Sequence, residues 1–251
     1  MSVKPRPLKD IRYYESIEVP GPGRSLPSST NELLGIPKTA HRIGQRIACM
    51  LNTEGYSLGT YDHVYVAFTP VLPARKIVPT GFGVEWWQRY VACGVTQNFK
   101  SLPEEEKLRF IESATFEVLS TLQPGQSALL DRVRDQLKNF GARTRILRAA
   151  KDTKDYRIEV WFDVPPWRET AYLYVTARNN ASGEITESSP FPLRDYEDAF
   201  SLVSSLTFTK GTLRLNPRKS FCAGLSTKNY QIPILFDVAE FVAQPCAQGT
   251  R

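Results

Sequence analysis

The stretch Tyr156-Arg157-Ile158-Glu159-Val160-Trp161-Phe162-Asp163-Val164 alternates without a break between two kinds of side chain. Every second residue from Tyr156 is aliphatic or aromatic, and the residues between them are Arg, Glu, Trp and Asp. Successive side chains of a β-strand point to opposite faces of the sheet, so this period predicts a strand with one buried face. Residues 171–178 repeat the pattern. Together they predict the centre of an antiparallel meander around residues 143–189.

The two faces of this predicted meander differ in composition. The inward face is apolar and includes Ile158, Val160, Phe162, Leu173 and Val175. The outward face is the predicted partner-binding site, and its residues are Arg157, Glu159, Trp161, Asp163, Tyr172, Tyr174 and Arg178. Trp, Tyr and Arg contribute much of the binding energy at protein interfaces, and a rigid sheet presents them at a small entropic cost. The alternative is that helices from elsewhere in the chain cover this face.

Two helices are predicted between residues 102 and 140. Ser101 and Glu104 have the spacing of a capping box at the start of the first helix, and Gly141 stands where a glycine commonly ends a helix. Only a short Pro124-Gly125 break separates the two helices, which favours an antiparallel pair. Antiparallel hairpins combined with segregated helices predict an α+β fold that is mainly antiparallel.

The first 37 residues differ from the rest of the chain. Residues 1–37 are rich in proline, glycine and serine, and we interpret them as an arm with little structure of its own. Its only predicted strand is short, between Ile11 and Val19. Residues 38–251 are predicted to form the α+β body, which can be divided near residues 141/142 into two subdomains.

The composition narrows the functional classes. No apolar run approaches the roughly 18 residues that cross a bilayer, and no secretory signal is visible, so we expect a cytoplasmic protein with no membrane partner. The four cysteines form no C-x-x-C pair, which favours free thiols. The chain has only two histidines and no complete phosphate-binding loop. We therefore predict no catalytic residues, no metal site and no cofactor.

The charge of the chain is uneven, although its net value is +6. Residues 151–200 contain six Lys or Arg against ten Asp or Glu, so the meander lies in an acidic segment of a basic chain. The leading hypothesis is a non-enzymatic protein-binding module of the inhibitor or immunity-protein type. It would neutralise a protein partner, such as a basic toxin or enzyme, through the Trp, Tyr and acidic residues of the outward face.

Two alternative functions stay open. The basic residues Arg214, Arg218 and Lys219 are expected in a C-terminal loop, close in sequence to Phe221. This composition suits nucleic-acid binding, because cations follow phosphates and an aromatic ring stacks on a base. The other alternative is an enzyme whose active site is assembled from dispersed residues, for which His63, Tyr65 and Glu85 are the candidates. The sequence does not predict the identity of the partner or the oligomeric state.

Overall fold

A computed structural model describes residues 5–243. These residues fall into two compact units that divide between Ala142 and Arg143. Helices and antiparallel sheets occur together along the chain, which confirms the predicted α+β fold. The assignment of the two units to separate domains stays a prediction.

Within residues 5–142, the first unit combines one four-stranded sheet with three α-helices. In chain order its elements are β1 (Asp10–Glu15), α1 (Ala40–Thr53), β2 (His63–Thr69), β3 (Ile77–Pro79), β4 (Gln88–Gly94), α2 (Glu104–Leu122) and α3 (Ser127–Phe140). The strand order is β1-β2-β4-β3. The helices α2 and α3 lie within the predicted region, and a single 3-10 turn at Pro124–Gln126 separates them. Their antiparallel packing stays a prediction.

The centre of this first sheet is parallel, which the sequence did not predict. Strand β2 pairs in parallel with both β1 and β4, and only β3 is antiparallel to its neighbour. Six of the seven residues of β2 are buried, so the strand is covered on both faces. In the sequence of β2, Val64, Val66 and Phe68 alternate with other residues, as in a strand with one solvated face. The intervening Tyr65 is buried as well, so this alternation does not mark a solvated face.

The predicted N-terminal arm contributes to the core of the first unit. Strand β1 begins at Asp10 and is an edge strand of the sheet, while Leu8, Ile11 and Tyr13 are fully buried. The Tyr13 hydroxyl lies 2.8 Å from Thr115 Oγ1 of α2. The segment thus has more structure than its composition indicates; residues 1–4 lie outside the described part of the chain.

A buried carboxylate organises the loop that follows β1. Glu15 is fully buried, and its two oxygens accept five backbone N–H groups. The donors are Asn31, Glu32, Leu33, Leu34 and Ile36. Burial raises the pKa of Glu15, but these hydrogen bonds to the charged form outweigh it and lower the pKa below its ordinary value. One side chain therefore holds a loop that contains no regular secondary structure.

Within residues 143–243, the second unit contains two sheets and two short helices. In chain order its elements are β5 (Ile146–Asp152), β6 (Tyr156–Phe162), β7 (Ala171–Asn179), β8 (Ile185–Glu187), β9 (Phe191–Leu193), α4 (Asp198–Leu202), β10 (Ser205–Thr209), β11 (Thr212–Asn216), α5 (Phe221–Thr227), β12 (Ile234–Asp237) and β13 (Val242–Ala243). The larger sheet has the order β13-β8-β7-β6-β5, and β9 also pairs with β7. The smaller sheet has the order β10-β11-β12.

The predicted meander is present as the antiparallel strands β5 to β8. Its inward residues Ile158, Val160, Phe162, Leu173 and Val175 are all buried, which confirms the predicted core face. Phe162 packs against Phe200 of α4, with ring centroids 5.3 Å apart. Strand β5 lies at one edge of this sheet, and its register against β6 shifts between Leu147 and Ala149, as at a β-bulge.

Candidate functional site

The outward face of the meander is built by strands β6 and β7, whose register places its residues side by side. Trp161 pairs with Tyr174, and Glu159 pairs with Thr176. The indole N–H of Trp161 donates to the Thr176 hydroxyl at 3.2 Å, which holds the ring across the neighbouring strand. Trp161 is half-buried, so part of its ring is open to solvent.

Asp163 was predicted to contact a partner, but its side chain is buried. It is fully buried, and its carboxylate accepts from the Tyr172 backbone N–H at 2.7 Å, from Arg143 at 2.9 Å and from the Tyr174 hydroxyl at 3.3 Å. The hydrogen bond and charge of Asp163 raise the pKa of Arg143. A buried carboxylate needs such partners because its desolvation is costly. Its expected role in contacting a partner is corrected to that of an anchor beneath the face.

Arg145 is a functional candidate that sequence reasoning missed. Its guanidinium forms a two-point contact with the carboxylate of Glu187, with one N–O distance of 2.9 Å and one shorter contact. It also lies 4.1 Å from the ring centroid of Tyr174, which places it for a cation–π interaction. Burial, followed by the negative charge of Asp163, raises the pKa of Tyr174 to about 12. Tyr174 is therefore a neutral, mostly covered ring.

The remaining residues of the face have more solvent exposure. Arg157 donates to Glu159 at 2.8 Å and to Asp152 at 3.2 Å. Arg178 lies opposite Arg157 in the register and is exposed. Within residues 5–243 the Arg178 side chain forms no hydrogen bond or ion pair. It is therefore available to a partner, as is the half-buried ring of Tyr172.

The charges of this face are largely balanced by contacts within the unit. Asp163 is paired with Arg143, Glu187 with Arg145, and Glu159 with Arg157. The acidic surplus of residues 151–200 is therefore not a free negative surface, because Arg143 and Arg145 enter the face from outside that segment. This balance weakens the expectation that the face selects a basic partner by charge alone.

The predicted basic residues lie elsewhere in the second unit. Arg214 is in the middle of β11, which corrects its expected place in a loop, while Arg218 and Lys219 follow that strand. All three side chains are exposed. None of them belongs to β6 or β7, the strands that build the outward face of the meander.

The fold brings together only some of the candidate residues for an enzyme active site. His63 and Tyr65 lie on one face of β2 with ring centroids 6.5 Å apart, and Glu85 is exposed in the turn before β4. His63 Nδ1 lies 2.6 Å from the buried carboxylate of Asp62, which also forms an ion pair with Lys9. Burial raises the pKa of Asp62, but hydrogen bonds from Lys9 and His63 outweigh it and lower that pKa. Burial also raises the pKa of Tyr65, which makes its hydroxyl a poor nucleophile at neutral pH.

Two further observations concern the described residues as a whole. Within residues 5–243, no group of three or more His, Cys, Asp or Glu side chains is arranged to hold a metal ion. None of the helices in that range is both long and apolar enough to cross a membrane. The sequence matches no protein-family model, no curated protein and no solved structure.

Proposed function

We propose that this protein is a non-enzymatic protein-binding module of the inhibitor or immunity-protein type, acting in the cytoplasm. It contacts its partner with the outward face of the meander. The carrying observation is that Trp161, Tyr172 and Arg178 lie on one face of two paired strands, each at least partly exposed to solvent. Trp161 lies opposite Tyr174, which is two residues after Tyr172 and four residues before Arg178 on β7.

The rigidity of the face supports this proposal. Arg143 and Arg145 each join a carboxylate to an aromatic ring, because Arg143 lies 5.8 Å from the Tyr172 ring centroid and Arg145 lies 4.1 Å from that of Tyr174. The rings of Tyr172 and Tyr174, and that of Trp161 through its hydrogen bond to Thr176, are thus held in place before any partner arrives. Binding then loses little side-chain entropy, which leaves more of the contact energy as affinity.

The charge balance indicates which partner surface fits. Since Arg157 is paired with Glu159, its positive charge already offsets that carboxylate, and a purely basic surface would gain little attraction there. We therefore propose a partner with an apolar or aromatic centre that packs on Trp161. Around that centre, the partner would carry an acceptor for Arg178 and a mixed polar rim.

The test is a capture experiment followed by affinity measurement. The full chain is immobilised, the protein that it captures from the cells of its source is identified, and the Kd of the purified pair is measured by calorimetry. Trp161→Ala is expected to weaken binding about 30-fold or more, which corresponds to the ~2 kcal/mol typical of a central aromatic contact. Arg178→Ala is expected to weaken binding without affecting the fold, because its side chain is exposed.

The matched control is Trp86→Ala in the first unit. Trp86 is 65% exposed, so this variant removes an exposed ring of the same kind from the first unit. Its Kd should equal that of the unchanged chain. A captured protein that binds folded Trp161→Ala and Arg178→Ala variants as tightly as the unchanged chain would refute the proposal.

A further inference from the structure

The second unit also contains a strongly basic segment. No Asp or Glu occurs between Asp198 and Asp237, whereas this interval contains five basic residues. They are Lys210, Arg214, Arg218, Lys219 and Lys228, and all five are exposed. Within residues 5–243 their side chains form no hydrogen bond or ion pair. By contrast, Arg143, Arg145 and Arg157 each form an ion pair with a carboxylate of the same unit.

The small sheet supplies an open polar face beside these charges. Arg214 is central in β11 and pairs with Thr207 of β10 and Leu235 of β12, and all three side chains are exposed. Asn216 donates to the Thr207 hydroxyl at 2.9 Å. Arg218 is four positions after Arg214 in the sequence, so their Cα atoms lie within about 14 Å. The one acidic residue on this face, Asp237, pairs with Thr212 near the hairpin turn.

The helix α5 has its large apolar residues on the outside. Phe221 is 82% exposed and Leu225 is 51% exposed, four residues later on the same helical face. The buried residues of this helix are the smaller Ala223 and Thr227. An aromatic ring so exposed contributes little to the stability of the unit, and it directly follows Lys219 and Ser220 in the sequence.

We propose that these residues form a binding site for single-stranded nucleic acid, independent of the protein-binding face proposed above. The five cations follow the phosphates, and Phe221 stacks on an unpaired base, since stacking on an exposed ring accepts any base. The hydroxyl and amide groups around Arg214 provide hydrogen bonds to phosphate and sugar oxygens. A single strand fits better than a duplex because its bases are free to stack on the ring.

The charge contribution is tested by fluorescence anisotropy with a labelled 20-nucleotide oligothymidine at 50 and 200 mM salt. The variant R214A/R218A/K219A is expected to bind at least tenfold more weakly. Its salt dependence should be shallower by about 2 in log–log slope, from roughly 0.7 per lost phosphate contact. The matched control K100A/K138A/K154A also removes three exposed charges and should bind as the unchanged chain does.

The stacking contribution is tested with Phe221→Ala and an abasic strand of equal length. Phe221→Ala should weaken oligothymidine binding by roughly 5- to 150-fold and leave abasic binding unchanged, because stacking requires a base. The exposure of Phe221 makes unfolding of this variant unexpected, and circular dichroism checks it. Equal affinity of the unchanged chain for both strands would overturn the proposal. So would equal binding by the two triple variants, or retention on anionic phosphatidylglycerol vesicles without retention of oligothymidine.

Discussion

Replacing Asp163 with Asn tests whether the buried carboxylate anchors the outward face. The carboxylate accepts from Arg143, from the Tyr172 N–H and from the Tyr174 hydroxyl. Asn retains one oxygen acceptor, which can still serve the Tyr172 N–H. Its NH₂ group cannot accept from either of the other two donors, and the negative charge opposite Arg143 is lost.

The size of the effect follows from the burial of the pair. Removing one member of a fully buried ion pair costs roughly 3–5 kcal/mol. The Arg143 side chain is 44% exposed, so water can solvate its guanidinium after the change, and we expect a loss of about 2–3 kcal/mol for Asp163→Asn. Asp163→Ala also leaves the Tyr172 N–H without its acceptor, and we expect about 4 kcal/mol.

The assay must report on the second unit, because a chain with two compact units need not unfold in one step. Native-state hydrogen exchange of the amides in β6 and β7 provides that local free energy. The control is Asp152→Asn, whose side chain is 71% exposed and which also faces an arginine; we expect a change below about 0.5 kcal/mol. A loss in Asp163→Asn no larger than that of this control would refute the anchoring role.

Two further predictions concern the first unit and the helix α5. Because hydrogen bonding lowers the pKa of Glu15 in the folded protein, its stabilisation is present above the ordinary carboxyl pKa of 4.5 and is lost as pH falls through the lower folded value. Urea unfolding of Glu15→Gln should therefore show its largest deficit above about pH 5, and a deficit constant down to pH 3 would contradict this. Gly44→Ala places a Cβ 2.6 Å from the Ile11 carbonyl oxygen and 3.1 Å from Tyr13, so we expect a loss of about 1–3 kcal/mol by thermal unfolding. Gly224→Ala, whose Cβ would meet no atom within 4 Å, should instead be neutral or stabilising by up to about 1 kcal/mol, and equal effects would contradict the packing argument.

The meander could be predicted because its pattern is local. Each of its central strands buries one face, so the period of two in residues 156–164 appears directly in the sequence. The parallel centre of the first sheet could not be recognised in the same way. Strand β2 is buried on both faces, and its partners β1 and β4 are identified only by contacts between segments distant in sequence.

The sequence predicted which residues lie on the outward face better than it predicted how their charges are paired. Alternation placed Trp161, Tyr172 and Arg178 on the outward side, as the strand register does. The pairing of Asp163 with Arg143 depends on how the chain before β5 meets β6, which a charge count over residues 151–200 does not include. One signal was present: Arg143 and Arg145 alternate with the buried Thr144 and Ile146, as residues that extend the outward face would.

The sequence alone determined which side chains of the meander point outward, because strand geometry links side-chain direction to position one residue at a time. The tertiary structure decided which of those side chains remain available. It buried Asp163, paired Glu159 with Arg157, and left Arg178 exposed. Burial and ion pairing depend on which distant segments of the chain meet in the folded protein. A buried charge is costly unless it is paired, and its partner can lie far away in the sequence.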